Sequence, residues 1–130
     1  MSGAFLVDGP EGAGVTVLLA HGAGAPMDSP SLNGAARALA AAGLRVLRFE
    51  FPYMALRRSN GERKPPPRAE SLMPDYRAAV TALAGRRPLI IGGKSMGGRV
   101  ASMVADDLWA RGAIAGLLCL SYPFHPPGRP

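Results

Sequence analysis

The chain has 130 residues, the size of one ordinary domain, and 48% of them are hydrophobic against 18% charged. No apolar run approaches the roughly 18 to 20 residues a membrane span needs, and the start Met1 to Asp8 lacks a basic segment followed by a long apolar stretch, so the expectation is a cytoplasmic protein with no membrane partner. A net charge of +6 raises the question of nucleic acid, but five of the 15 basic residues fall in one segment, Arg57 to Arg68, with no interleaved aromatics and no zinc-ligand spacing, which argues against that partner.

Along the chain, short aliphatic runs alternate with alanine-rich amphipathic segments, the pattern of βαβ units and hence of an α/β fold with a mostly parallel sheet flanked by helices. A weak strand near Ala4–Val7 is followed by a glycine-rich turn, then by Val15–Ala20, which reads as a buried strand ending at His21-Gly22-Ala23-Gly24-Ala25. Ser29 and Pro30 form a cap and first-turn pair for a helix over Pro30–Ala42, with Leu32, Ala35, Ala36 and Leu39 on one face and Gly43 at its end. The next strand, Leu44–Phe51, interleaves Arg45, Arg48 and Glu50 with apolar residues and is expected to be less completely buried. Arg57–Arg68 reads as an exposed basic, proline-rich loop, or as an anion-attracting rim beside a pocket.

A second helix is expected from Ser71 or Pro74 to Ala84, with Leu72, Tyr76, Val80 and Leu83 on one side. Pro88–Ile91 is a short apolar strand leading into Gly92-Gly93-Lys94-Ser95-Met96-Gly97-Gly98, and Gly98–Arg111 is a third helix. The last strand, Ala113–Ser121, is apolar on both faces and so belongs in the covered middle of a sheet. Cys119, the one cysteine, lies inside that run and reads as a small buried hydrophobe.

Chemistry concentrates at Ser95. A nucleophilic serine needs its hydroxyl held clear of the backbone near amide N–H groups that can receive an oxyanion, and a tight strand-to-helix turn achieves this only with small residues two positions before and after it. Gly93 and Gly97 meet that requirement, and Ser95 is expected to have a positive φ. The oxyanion donors expected are the N–H of Met96 and that of Ala23 or Gly24, Ala23 being preferred, from the loop after the first strong strand. A phosphate-binding G-x-x-x-x-G-K-S is excluded because its first glycine falls on Pro88, and no G-x-G-x-x-G opens a helix after that strand.

His21–Ala25, Phe51-Pro52-Tyr53, the basic proline-rich loop, Gly92–Arg99 and Tyr122–Gly128 together resemble a group of small bacterial α/β-hydrolase-like proteins, similar to dienelactone hydrolases and to the hydrolase-like domain of a eukaryotic chromatin-complex subunit. The resemblance implies a serine hydrolase fold with no cofactor and no metal, acting on a small-molecule ester or related acyl substrate. It also implies a sheet ordered Leu44–Phe51, Val15–Ala20, Leu89–Ile91, Ala113–Ser121, which leaves the most apolar strand at an edge.

The family pattern places an acid and then a histidine after later strands, and here the sequence departs from it. Asp106 and Asp107 are the last acids and read as solvent-facing helix residues. His125 is the one histidine after Ser95 and stands as the candidate base, although the resemblance puts it in the loop after the strand that follows the elbow helix. His21 is expected to orient its loop through hydrogen bonds. These departures lead to three expectations: a single hydrolase-like domain over 1–130 lacking C-terminal strands, self-association through Ala113–Ser121, and, as the alternative to an enzyme, a non-catalytic hydrolase-like binding scaffold.

Overall fold

The computed structural model describes residues 5–86 and 88–123. Within them, strands β1 (Leu6–Asp8), β2 (Thr16–Ala20), β3 (Arg45–Phe49), β4 (Leu89–Lys94) and β5 (Gly116–Leu120) form one sheet in the order β1-β3-β2-β4-β5. β1 is antiparallel to β3, and every other pairing is parallel. Helices α1 (Pro30–Ala41), α2 (Pro52–Asn60), α3 (Met73–Ala82) and α4 (Met96–Ala110) make the connections, with a 3₁₀ turn at Ala69–Leu72 leading into α3. The mostly parallel α/β class and the order of the four parallel strands are those expected.

β2 lies at the centre and is buried throughout, because both faces of the sheet are covered. Its side chains alternate between two cores. Leu18 and Ala20 join Leu47, Phe49, Tyr76, Ile91, Val100 and Val104 on one face, while Val17 and Leu19 meet Val46 and the α1 residues Leu32 and Ala36 on the other. Leu18 and Leu19 are both fully buried, a contribution of about 1.5–3 kcal/mol each relative to exposure. α1 starts where Ser29 Oγ accepts the Leu32 N–H at 3.3 Å, with Pro30 at the first helical position. It ends before Gly43, whose φ of +94° suits only glycine without strain.

Several expectations need correction. β3 is less completely buried than β2, as expected, but only at Arg45: Val46, Leu47 and Phe49 are buried, and so, unexpectedly for a charged residue, is Arg48. The Arg48 guanidinium donates to Asp8 at 3.0 Å, to the Met27 carbonyl at 2.8 Å and to Asn33 at 2.6 Å, partners from three other segments that a strand read alone cannot reveal. The basic segment is not one loop, since Arg57 and Arg58 lie in α2 and only residues after the left-handed cap Gly61 (φ +77°) run without helix until the 3₁₀ turn. Pro74 sits inside the first turn of α3, where its missing N–H costs nothing. β4 continues past Ile91 to Lys94, and α4 begins at Met96 rather than Gly98. β5 does lie at an edge of the sheet, partly buried, with Leu117 44% exposed.

Candidate active site

The four parallel strands deliver their carboxyl ends to one side of the sheet, with Ala20 paired to Gly93 and Lys94 to Leu120. Ser95 follows at once with φ 52° and ψ −118°, a conformation that costs a non-glycine residue about 1–3 kcal/mol and turns its side chain out between strand and helix. Its N–H donates to Leu120 O at 2.8 Å, so β5 helps to pin the turn.

The flanking glycines are there for want of space. A Cβ on Gly93 would stand 2.5 Å from Ala20 O and 2.7 Å from the carbonyl carbon of Gly97, and one on Gly97 would stand 2.4 Å from His21 O. The first turn of α4 therefore rests directly on the backbone end of β2, and a methyl group at either position would push the two apart.

The His21–Ala25 loop arrives at the same end. A Cβ on Gly22 would lie 3.7 Å from Ser95 Cβ, in ordinary contact. His21, fully buried, donates from Nδ1 to the Gly22 carbonyl at 2.6 Å and accepts the Phe51 N–H on Nε2 at 3.1 Å, so both ring nitrogens are engaged and the ring is neutral. Burial lowers its pKa, partly offset by the bond to Gly22 and the charge of Glu50. It holds the loop through hydrogen bonds. Tyr53 donates to the Ala23 carbonyl at 2.8 Å, and Arg57 reaches the Gly24 carbonyl at 3.4 Å. Among the described residues, the N–H groups of Ala23, Gly24 and Met96 have no protein acceptor. Met96 adjoins Ser95 in the chain, and the loop approaches Ser95 at Gly22.

An ion cluster braces the far end of that loop. Arg58 binds Glu50 at 2.7 Å and Asp28 at 2.6 Å, while Glu50 also accepts the Met27 N–H at 3.2 Å. Burial works against ionising Glu50, but the bonds from Arg58 and Met27 outweigh it and hold the carboxyl below its ordinary value. The hydrogen bond from Arg58 does the same for Asp28.

Among the described residues no acid or histidine is hydrogen-bonded to the Ser95 side chain. Asp107 pairs with Arg111 one turn along α4, and at a rise of ~1.5 Å per residue both Asp106 and Asp107 lie more than ~15 Å up the helix from Ser95. His125 lies outside the described residues. Cys119 sits on β5 with its thiol 3.5 Å from the Gly98 carbonyl, its pKa pushed up by burial. Among the described residues no three His, Cys, Asp or Glu side chains gather as a metal site. Two residues with no expected site role, Tyr53 and Tyr76, contact the backbone of the facing loop at Ala23 and of β4 at Gly92.

A family model described as an alpha/beta hydrolase domain matches residues 13–130. Among solved structures the chain is similar to an α/β serine hydrolase without a lid from Xanthomonas campestris, with a TM-score of 0.64 and 25% identity, over 81% of this chain and 50% of that one. The chain thus spans about half the length of that enzyme.

Proposed function

The chain belongs to the alpha/beta hydrolase domain family, and on that footing we propose that it carries the nucleophile half of a serine hydrolase site for small esters or related acyl compounds. The observation that carries this reading is Ser95 at positive φ between β4 and α4, with Gly22 of the facing loop against its Cβ. Ser95 Oγ attacks the acyl carbonyl as its proton passes to a base. The N–H groups of Met96 and Ala23 receive the tetrahedral oxyanion, its collapse expels the alcohol, and water then releases the acyl group from Ser95. The motif likeness to dienelactone hydrolases and to the chromatin-subunit domain supports an acyl substrate, and we propose that the protein acts in the cytoplasm.

His21 cannot be the base, since its acceptor nitrogen holds Phe51. On this reading the base lies outside the described residues, with His125 as one candidate and a strand paired to the edge strand β5 as another source. Exposed Leu117 on that edge supports pairing with a second copy or with further chain. Nucleic acid forms no part of the reading, because Arg58 of the basic segment is already spent on Asp28 and Glu50.

The alternative, a hydrolase-like scaffold that binds without turnover, is favoured by that same lack of a described base. Labelling with a fluorophosphonate decides between them: a Ser95 adduct in intact-protein mass spectra, lost in Ser95→Ala, supports the hydrolase. An unlabelled but folded protein supports the scaffold.

A further inference from the structure

The segment Phe51-Pro52-Tyr53 stands out in the sequence, yet the hydrolase reading gives it no task. In the fold it is wrapped around the loop that faces Ser95. Phe51 precedes α2 in extended conformation, Pro52 takes the first helical position, and the Phe51 N–H is given to His21. Tyr53 follows with its ring edge-on to the imidazole, centroids 5.8 Å apart, and its hydroxyl on the Ala23 carbonyl.

A trans peptide is planar, with its N–H pointing opposite to its C=O. Anchoring a carbonyl therefore aims the amide hydrogen of the next residue. The Gly22 carbonyl is held by His21 Nδ1 at 2.6 Å, which aims the N–H of Ala23. The Ala23 carbonyl is held by Tyr53 at 2.8 Å, which aims the N–H of Gly24. The two peptide planes that meet at the Cα of Ala23 are thus both fixed, leaving its φ and ψ no freedom. Arg57, one turn further along α2, reaches the Gly24 carbonyl and restrains the third plane. Ala23 and its glycine neighbours have no side chain capable of such restraint, so rigidity must be imposed from α2.

We propose that Tyr53 is a positioning residue: its hydroxyl fixes the Ala23–Gly24 peptide, which together with the His21 anchor on the Gly22 carbonyl locks Ala23 and so holds its N–H toward the oxyanion that forms on a substrate at Ser95. This rests on the reading of that loop as the second oxyanion donor. Burial pushes the Tyr53 phenol up to about 12, so it stays a donor at any working pH. Tyr53→Phe keeps the ring against His21 and removes only the anchor.

The test pairs labelling kinetics with a crystal structure of the variant. In Tyr53→Phe, the maximal rate of fluorophosphonate addition to Ser95 should fall by about 10- to 100-fold, less than the ~10²–10³ typical of deleting an oxyanion donor. The concentration for half-maximal rate and the melting temperature should stay near the parent's, and the crystal structure should show the Ala23 carbonyl rotated. A parent-like maximal rate, or a slower one with the Ala23 carbonyl still in place, overturns the proposal. Where the parent itself does not label, the hydrolase reading fails, and the peptide orientation alone then decides the anchoring role: rotation supports it and an unmoved carbonyl overturns it.

Discussion

The Tyr76 hydroxyl accepts the Gly92 N–H at 2.9 Å and lies 2.6 Å from the Gly92 carbonyl oxygen, so one side-chain group serves both polar atoms of one residue inside the sheet. At the same point a Cβ on Gly92 would fall 1.8 Å from Leu118 O. Gly92 lies three residues before Ser95, and Tyr76 from α3 supplies a partner to both of its backbone groups. The hydroxyl also reaches Leu18 O at 3.1 Å, tying β2 to the same spot. Tyr76→Phe leaves a buried N–H and a buried carbonyl without this partner, and should lower stability by about 1–3 kcal/mol. Urea unfolding at neutral pH measures it, and a loss below the ~0.5 kcal/mol of an ordinary surface change would show the bonds to be dispensable.

Crowding at the elbow and its absence elsewhere give a paired prediction. Gly97→Ala places a methyl among the backbone atoms of Ala20 and His21, which cannot yield as a flexible side chain can, so the α4 start must shift. We expect a loss of several kcal/mol, in the range of overpacked cores (~1–3 kcal/mol or more), together with loss of Ser95 labelling. Gly34, inside α1 with nothing near its missing Cβ, should behave oppositely. Gly34→Ala should stabilise by about 0.4–1 kcal/mol through helix propensity and reduced unfolded-state entropy. Equal and small effects at both positions would contradict the packing described.

What could be read from the sequence was what repeats locally. The strand and helix alternation, the Ser29 cap and the glycine pattern around Ser95 are each set by neighbours within a few residues, and all reappear in the fold. The errors at the arginines share one cause, contact across long separations. Arg48 looks like a surface residue until Asp8, Met27 and Asn33 are brought to it, and Arg58 looks like part of a solvated charge run until Asp28, 30 residues away, and Glu50 close over it. Tyr53 and Tyr76 read only as a motif residue and an apolar-face residue, because the carbonyls they bind belong to strands and loops distant in the chain.

The buried His21 makes stability depend on pH in a window of its own. Its native pKa lies below the ordinary 6.5 because burial disfavours the imidazolium. Below 6.5 the unfolded chain takes up a proton that the native ring refuses, so stability is full above that pH and declines as pH falls toward the native value. The slope is at most about 1.4 kcal/mol per pH unit. Glu50 and Asp28, with native values below their ordinary ones, keep their contribution until more acid pH, which leaves pH 5 to 7 to the histidine. Urea midpoints across that interval should fall toward pH 5 in the parent and equally in His125→Gln. A flat profile would mean that His21 protonates in place.

The strain at Ser95 should be recoverable as stability. With φ at 52° and ψ at −118°, serine occupies backbone space that glycine enters freely and that alanine shares no better than serine does. The Ser95 N–H bond to Leu120 O and the crowded glycines around it hold the residue there, so relaxation by rotation is blocked. Ser95→Gly should therefore raise the unfolding free energy, by up to about 1–3 kcal/mol less the ~0.5–1 kcal/mol of entropy that glycine adds to the unfolded chain. Ser95→Ala should leave stability near the parent's, since the Ser95 hydroxyl donates no hydrogen bond among the described residues that its removal would forfeit. The pair separates strain from side-chain chemistry: both variants abolish labelling, and only glycine gains stability. If glycine proved no more stable than alanine, the turn would be held without strain, and the sequence would have kept a serine there at no thermodynamic cost.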